Sequence, residues 1–129
     1  MQVTFLTESS DDGKTWCRPW VMTNTAEVQV QLLLLRSGRL LATYTNYHLP
    51  YGACAIVSED DGHTWSCGAP IQLAISADCF TGWATTVELA DGDLLTSYMI
   101  TAYQQQPPEQ TGTERSVCEV VRWRLPDLR

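Results

Sequence analysis

The segment Ser9-Ser-Asp-Asp-Gly-Lys-Thr-Trp16 decides the fold, because it recurs as Ser58-Glu-Asp-Asp-Gly-His-Thr-Trp65. The two copies are 49 residues apart, measured from Gly13 to Gly62. Asp and Ser oxygens accept hydrogen bonds from backbone N–H groups in tight turns, and Gly readily takes a positive φ. Each copy therefore predicts a turn followed by a strand, with the Trp ring packed in an equivalent buried place. The matching residues are Ser9, Asp11, Gly13, Thr15 and Trp16 in the first copy and Ser58, Asp60, Gly62, Thr64 and Trp65 in the second.

A second motif alternates with the first. Leu35-Arg-Ser-Gly-Arg-Leu-Leu-Ala-Thr-Tyr44 aligns with Leu89-Ala-Asp-Gly-Asp-Leu-Leu-Thr-Ser-Tyr98, at an offset of 54 residues. In each, an apolar strand ends at Ser-Gly or Asp-Gly and a new strand begins with Leu-Leu, which is typical of a β-hairpin. Two motifs that alternate every fifty residues or so match the size of one four-stranded propeller blade.

Apolar residues do not recur every three or four positions, as they would in a helix, but form short runs separated by Gly, Pro, Asp and Asn. We therefore expect an all-β fold with at least seven strands. The segment 104–114, which contains Pro107-Pro108, is expected to be a loop. The strands then form half a blade, a full blade and three strands of another, about two and a quarter blades. Strands are expected near 2–8, 17–22, 28–36, 39–47, 53–58, 69–75, 84–90, 93–101 and 116–125.

Composition excludes several classes of function. The 129 residues are 44% hydrophobic and 18% charged, with a net charge of −7, which suits a globular domain. An acidic chain without a basic cluster is a poor candidate for binding nucleic acid or an anionic membrane. No stretch approaches the roughly 18 apolar residues of a membrane span, and the first residues lack the pattern of a signal peptide. The cellular compartment is left open.

The five Cys are odd in number and show no metal-binding spacing, and the hydrophobic content already suffices for a core without a disulfide framework. We expect them to be small buried side chains in thiol form. His48 and His63 are isolated in the sequence, so neither a metal site nor a cofactor is expected.

The box Ser-x-Asp-x-Gly-x-Thr-Trp resembles the Asp box, or BNR repeat, of sialidase-like proteins, and the hairpin motif resembles the strands that alternate with it there. Leu49-Pro-Tyr-Gly52 and Val121-Arg-Trp-Arg-Leu-Pro126 are similar to the later part of such proteins. The resemblance covers nearly all of residues 1–129. It implies the C-terminal portion of a six-bladed propeller whose earlier blades are absent from this sequence, with the boxes on outer turns, away from the sugar site.

The resemblance also implies a catalytic set of three Arg, a Tyr nucleophile with a Glu partner, and an acid/base Asp. In this sequence the position of the family's Glu is taken by Trp83. The expected Arg positions fall at Thr45, Cys54 and Met99. The catalytic set is therefore incomplete here, and whether the chain is an enzyme stays open.

Several residues remain candidates for a sugar site. Tyr44 and Tyr98 occupy matching positions on strands, and Tyr47 lies in the loop that follows Tyr44. These Tyr side chains either line a pocket or pack across strands. Trp83, which lies just before an inner strand, either stacks on a sugar ring or packs between blades. The candidate ligand-binding residues are Tyr44, Tyr51, Asp78, Trp83 and Tyr98.

Three functions follow from these observations. The chain is a piece of a sialidase-like glycoside hydrolase, a non-catalytic carbohydrate-binding propeller, or a structural unit whose copies associate. Blade faces that lack a neighbour should be rich in Val, Leu, Ile and Trp, which favours self-association unless missing N-terminal blades cover them.

Overall fold

The computed structural model describes residues 2–103 and 114–126, which form an all-β structure without a helix. No described segment is a helix of the length and hydrophobicity that crossing a membrane requires. Residues 104–113 of the expected loop lie outside the described part of the chain, and Glu114 already belongs to a strand. Within these two ranges the chain forms nine strands, which are β1 (Phe5–Leu6), β2 (Trp20–Val21), β3 (Glu27–Leu34), β4 (Leu40–Asn46), β5 (Gly52–Ser58), β6 (Ile71–Ile75), β7 (Gly82–Glu88), β8 (Leu94–Tyr103) and β9 (Glu114–Trp123).

The strands form three antiparallel sheets. The first sheet contains β1 and β2, the second contains β3 to β6, and the third contains β7 to β9, each in sequence order. This grouping into two, four and three strands is the one that the turn motifs predicted. The described strands do not close into a barrel or a ring.

The sheets pack face to face. One buried cluster, built around Met22, Tyr44 and Ile56, joins the first sheet to the second, with Leu6 and Trp65 packed against it. Two further clusters join the second sheet to the third. We call the side of a sheet that faces the preceding sheet its front and the opposite side its back. Apolar side chains on facing sheet surfaces are the main source of stability for such a stack.

Polar groups also cross between the second and third sheets. Gln31 Oε1 accepts a hydrogen bond of 2.5 Å from the backbone N–H of Thr86. The hydroxyl of Thr86 also donates to Thr43 Oγ1 of the second sheet at 3.3 Å, and within the third sheet it lies 2.7 Å from the hydroxyl of Thr96. The facing surfaces of the second and third sheets therefore combine apolar side chains with hydrogen-bonded Thr and Gln side chains.

The two boxes form the same turn. Ser58 Oγ accepts from the Gly62 N–H at 2.9 Å, and Asp60 accepts from the N–H and the hydroxyl of Thr64 at 2.8 and 2.6 Å. In the first box the equivalent bonds measure 2.8, 2.9 and 2.6 Å. The glycines have φ of +80° and +88°. Ser and Asp oxygens thus satisfy the turn's backbone donors in both copies.

The expected equal burial of the two Trp rings is wrong. Trp65 is half-buried against the first cluster, whereas Trp16 is 61% exposed. Both indole N–H groups bond the carbonyl of the box glycine, at 3.2 Å for Trp16 and 2.9 Å for Trp65. The difference arises because the second box packs on the first sheet through Leu6, while no described element covers the first box.

Two other expectations need correction. β1 and β2 are shorter than expected, because pairing between their segments continues only as isolated bonds, from Met22 N to Thr4 O and from Cys17 N to Glu8 O. All five Cys are free thiols, but only Cys54 is buried. Three of them lie at the surface because they occupy connections or an outward-facing strand position, namely Cys17, Cys79 and Cys118.

Candidate functional site

The starts of β3, β5 and β7 and the ends of β4 and β6 lie at the same edge of the stack, because neighbouring strands are antiparallel. We call this the candidate edge. The second box, which follows β5, lies at the opposite edge. Connections at the candidate edge carry most of the aromatic and polar residues that the sequence singled out.

A cleft of about 540 Å³ opens beside the start of β3. Its walls combine two aromatic rings, two carboxamide side chains and aliphatic surface. Tyr47 is held there by its backbone N–H, which donates to Ala26 O at 2.8 Å. Apolar and aromatic walls with a few polar groups are typical of small-molecule sites. The lining residues are Gln2, Val3, Phe5, Val28, Gln29 and Tyr47.

Matching β-bulges shape β3 and β7 at this edge. The strand register shifts between Val28 and Gln31 on β3 and between Gly82 and Thr85 on β7. Gln29 and Trp83, which are 54 residues apart, occupy these bulges with positive φ values of 58° and 54°. A bulge re-aims the side chain that it carries. The repeat at an offset of 54 residues therefore includes β3 and β7, the first strands of the second and third sheets.

Gln29 connects the cleft to Trp83. Its Oε1 accepts from Trp83 N at 3.3 Å and from Thr45 Oγ1 at 2.9 Å. A Cβ on Gly82 would lie 2.5 Å from the same oxygen, so a larger residue there would displace the end of the Gln29 side chain. The Trp83 side chain itself remains 64% exposed. The amide thus fixes the backbone of Trp83 while its ring stays available to a ligand.

The two matched tyrosines do not line a pocket. Tyr44 is 1% exposed within the first cluster, where burial raises the pKa of its hydroxyl well above the ordinary range. Tyr98 is 7% exposed between the second and third sheets, and its hydroxyl donates to Glu119 Oε2 at 3.2 Å. Burial, followed by the nearby carboxylate, raises the pKa of Tyr98. Both side chains pack across strands, which is the second of the two alternatives stated above.

Tyr51 and Asp78 lie at the candidate edge but outside the cleft. The Tyr51 carbonyl accepts from Ser76 N at 2.9 Å, and its side chain is half-buried. Asp78 Oδ1 accepts from Phe80 N at 2.8 Å, which shapes the connection between β6 and β7. This turn presents Phe80 with 70% of its surface exposed, close in sequence to Trp83. Asp78 therefore shapes the turn that carries an exposed aromatic residue.

Charged pairs gather at the opposite edge. Arg36 pairs with Glu88 at 3.4 Å, and Arg122 Nε with Asp93 Oδ2 at 2.8 Å. Arg124 also pairs with Asp93, at 2.5 Å. Arg36, Arg122 and Arg124, whose ion pairs the structure describes, therefore lie away from the candidate edge. The described residues also contain no group of three or more His, Cys, Asp or Glu side chains arranged to hold a metal ion.

The candidate edge carries an exposed Trp, an exposed Phe three residues before it in the sequence, and a cleft lined by two carboxamide side chains. No family model, curated protein or solved structure matches this chain. The functional assignment therefore depends on this geometry and on the sequence motifs.

Of the five candidates, the structure leaves the Trp83 side chain exposed and directs Tyr44 and Tyr98 into the core. Sequence reasoning missed Gln29, Phe5 and the cleft. The signal for Gln29 was the 54-residue offset itself, which maps it onto Trp83.

Proposed function

We propose that this chain is a portion of a sialidase-like β-propeller that binds carbohydrate at the candidate edge without hydrolysing it. Two copies of the box turn at blade spacing support the propeller interpretation. Face-to-face sheets of two, four and three strands support it as well. In this interpretation each sheet is all or part of one blade.

The observation that carries the binding proposal is the exposed side chain of Trp83, whose backbone N–H donates to the cleft residue Gln29. The face of an indole ring is a suitable surface for the apolar C–H face of a sugar, and carboxamide groups suit its hydroxyls. Tyr47 and Phe5 add aromatic surface within the cleft.

The tyrosines argue against hydrolysis. A Tyr nucleophile must lose its proton, and burial disfavours the charged form of both Tyr44 and Tyr98. The Tyr98–Glu119 pair has the residue types of a sialidase nucleophile and its base, but Tyr98 packs among Ala53, Ala84 and Ile100. At 7% exposure, the Tyr98 side chain offers a substrate little surface.

Isothermal titration of the purified chain with 3′-sialyllactose and with lactose tests the proposal. Trp83→Ala should lower affinity about tenfold, because aromatic stacking contributes about 0.5–1.5 kcal/mol beyond buried area. Trp16→Ala is the matched control, since that ring is equally exposed at 61% but belongs to the first box turn. Binding of both sugars that is unchanged in Trp83→Ala, or no binding of either sugar, would overturn the proposal.

A further inference from the structure

The back of the third sheet carries exposed apolar side chains among polar ones and has no described neighbour. Val87 is 49% exposed and Val120 is 59% exposed on this side. On β8, Ser97 pairs with Val120 and Met99 pairs with Cys118, and both of these β8 residues are half-buried. β9 is also an edge strand, with β8 as its one described neighbour. Exposed apolar surface of this kind marks interaction sites.

This surface repeats one that is covered within the same chain. The 54-residue offset places Leu95, Ser97 and Met99 at the positions of Leu41, Thr43 and Thr45. Those three residues on the back of the second sheet are 0–1% exposed, because the front of the third sheet covers them. The back of the third sheet thus has the same kind of surface as a back that binds a sheet front.

The front of the first sheet is likewise uncovered among the described residues. Phe5 and Val21 are directly paired across the two strands and are 59% and 57% exposed. Their neighbours Leu6 and Trp20 point the other way, where Leu6 packs on the first cluster and Trp20 stacks on His63 with ring centroids 6.0 Å apart. The described residues therefore leave one front and one back uncovered.

We propose that the back of the third sheet binds the front of the first sheet of a second copy. Sheets in this chain already stack back to front twice, so a contact between copies continues an arrangement that is present within each copy. Such a contact is heterologous, since different surfaces meet, and it leaves a free front and a free back on every oligomer that does not close. The net charge of −7 opposes association, and salt screens that repulsion.

Sedimentation velocity across a concentration series, at low and high salt, tests the proposal with two variants. Val120→Glu places a charge on the back, and Val21→Glu places one on the front. Wild type should associate more with concentration and salt, while each variant alone should be monomeric. An equimolar mixture of the two variants should form a dimer that grows no further, because one intact front then meets one intact back. Leu49→Glu is the control, since Leu49 is 76% exposed in a connection outside both surfaces.

Formation of the mixed dimer also shows that both variants fold. A wild type that stays monomeric at every concentration and salt would refute the proposal and would leave these surfaces to a different partner. A mixture that stays monomeric, or a control that dissociates as the variants do, would refute it too.

Discussion

Replacing Trp65 with alanine should destabilise the fold far more than the same change at Trp16, although both residues end a copy of the same box motif. Removing a fully buried Trp costs about 3–5 kcal/mol, so the half-buried Trp65 should cost about 2 kcal/mol in packing. Its indole N–H also loses a hydrogen bond to Gly62 O, worth about 1 kcal/mol. The expected total is about 3 kcal/mol.

For Trp16 the packing loss is small because the ring is 61% exposed, and the bond to Gly13 O is longer, at 3.2 Å. The expected cost is about 1 kcal/mol or less. Equilibrium urea unfolding, followed by circular dichroism, measures both. With a slope of about 1–3 kcal/mol per molar urea, the midpoints of the two variants should differ by roughly 1 M. Equal midpoints would refute the argument that the first sheet packs against the second box.

Other predictions follow from single contacts. Gly52→Ala should destabilise by about 1–3 kcal/mol in urea unfolding, because φ is +142° and a Cβ would overlap the Ala74 carbonyl, whereas Gly38→Ala, with no atom near a Cβ, should cost less. The pKa of Asp60 is lowered from 3.8 to about 2, chiefly by the Thr64 hydroxyl, so its stabilisation is full above pH 4 and is lost as the pH falls through 2. Asp60→Asn should therefore reduce the fall in urea midpoint between pH 5 and pH 2, and an unchanged fall would contradict this. A fluorogenic sialoside should not be hydrolysed, and turnover that disappears in Tyr98→Phe would show that the buried tyrosine is a nucleophile after all.

The sheets could be predicted from the sequence because their boundaries are set by local chemistry. Gly13 and Gly62 take a positive φ, and the Asp and Ser of each box bond the turn's own backbone, so these turns depend little on distant residues. The repeat spacing then fixed how many strands lie between turns. The lengths of β1 and β2 could not be predicted, because they depend on how many bonds the paired segments keep.

Burial and the cleft could not be predicted because they depend on neighbours from other parts of the chain. Trp16 and Trp65 share a motif, yet only Trp65 meets another sheet. The cleft combines residues from the first sheet, from β3 and from the loop after β4. The bulge at Gln29 has no glycine or proline to mark it. Tyr44 and Tyr98 were matched correctly as a pair, but alternation along a strand does not say which of two faces is covered.

The most direct test of carbohydrate binding at the candidate edge is a ¹H–¹⁵N spectrum of the indole N–H groups during titration with 3′-sialyllactose and with lactose. The chain has five Trp, and the Trp83 signal is assigned as the one that Trp83→Phe removes. The binding proposal predicts that sugar shifts the Trp83 signal progressively and to saturation, while the signal of the equally exposed Trp16 stays in place. A Trp83 signal that does not move at millimolar sugar, or a shift confined to Trp16, would contradict it.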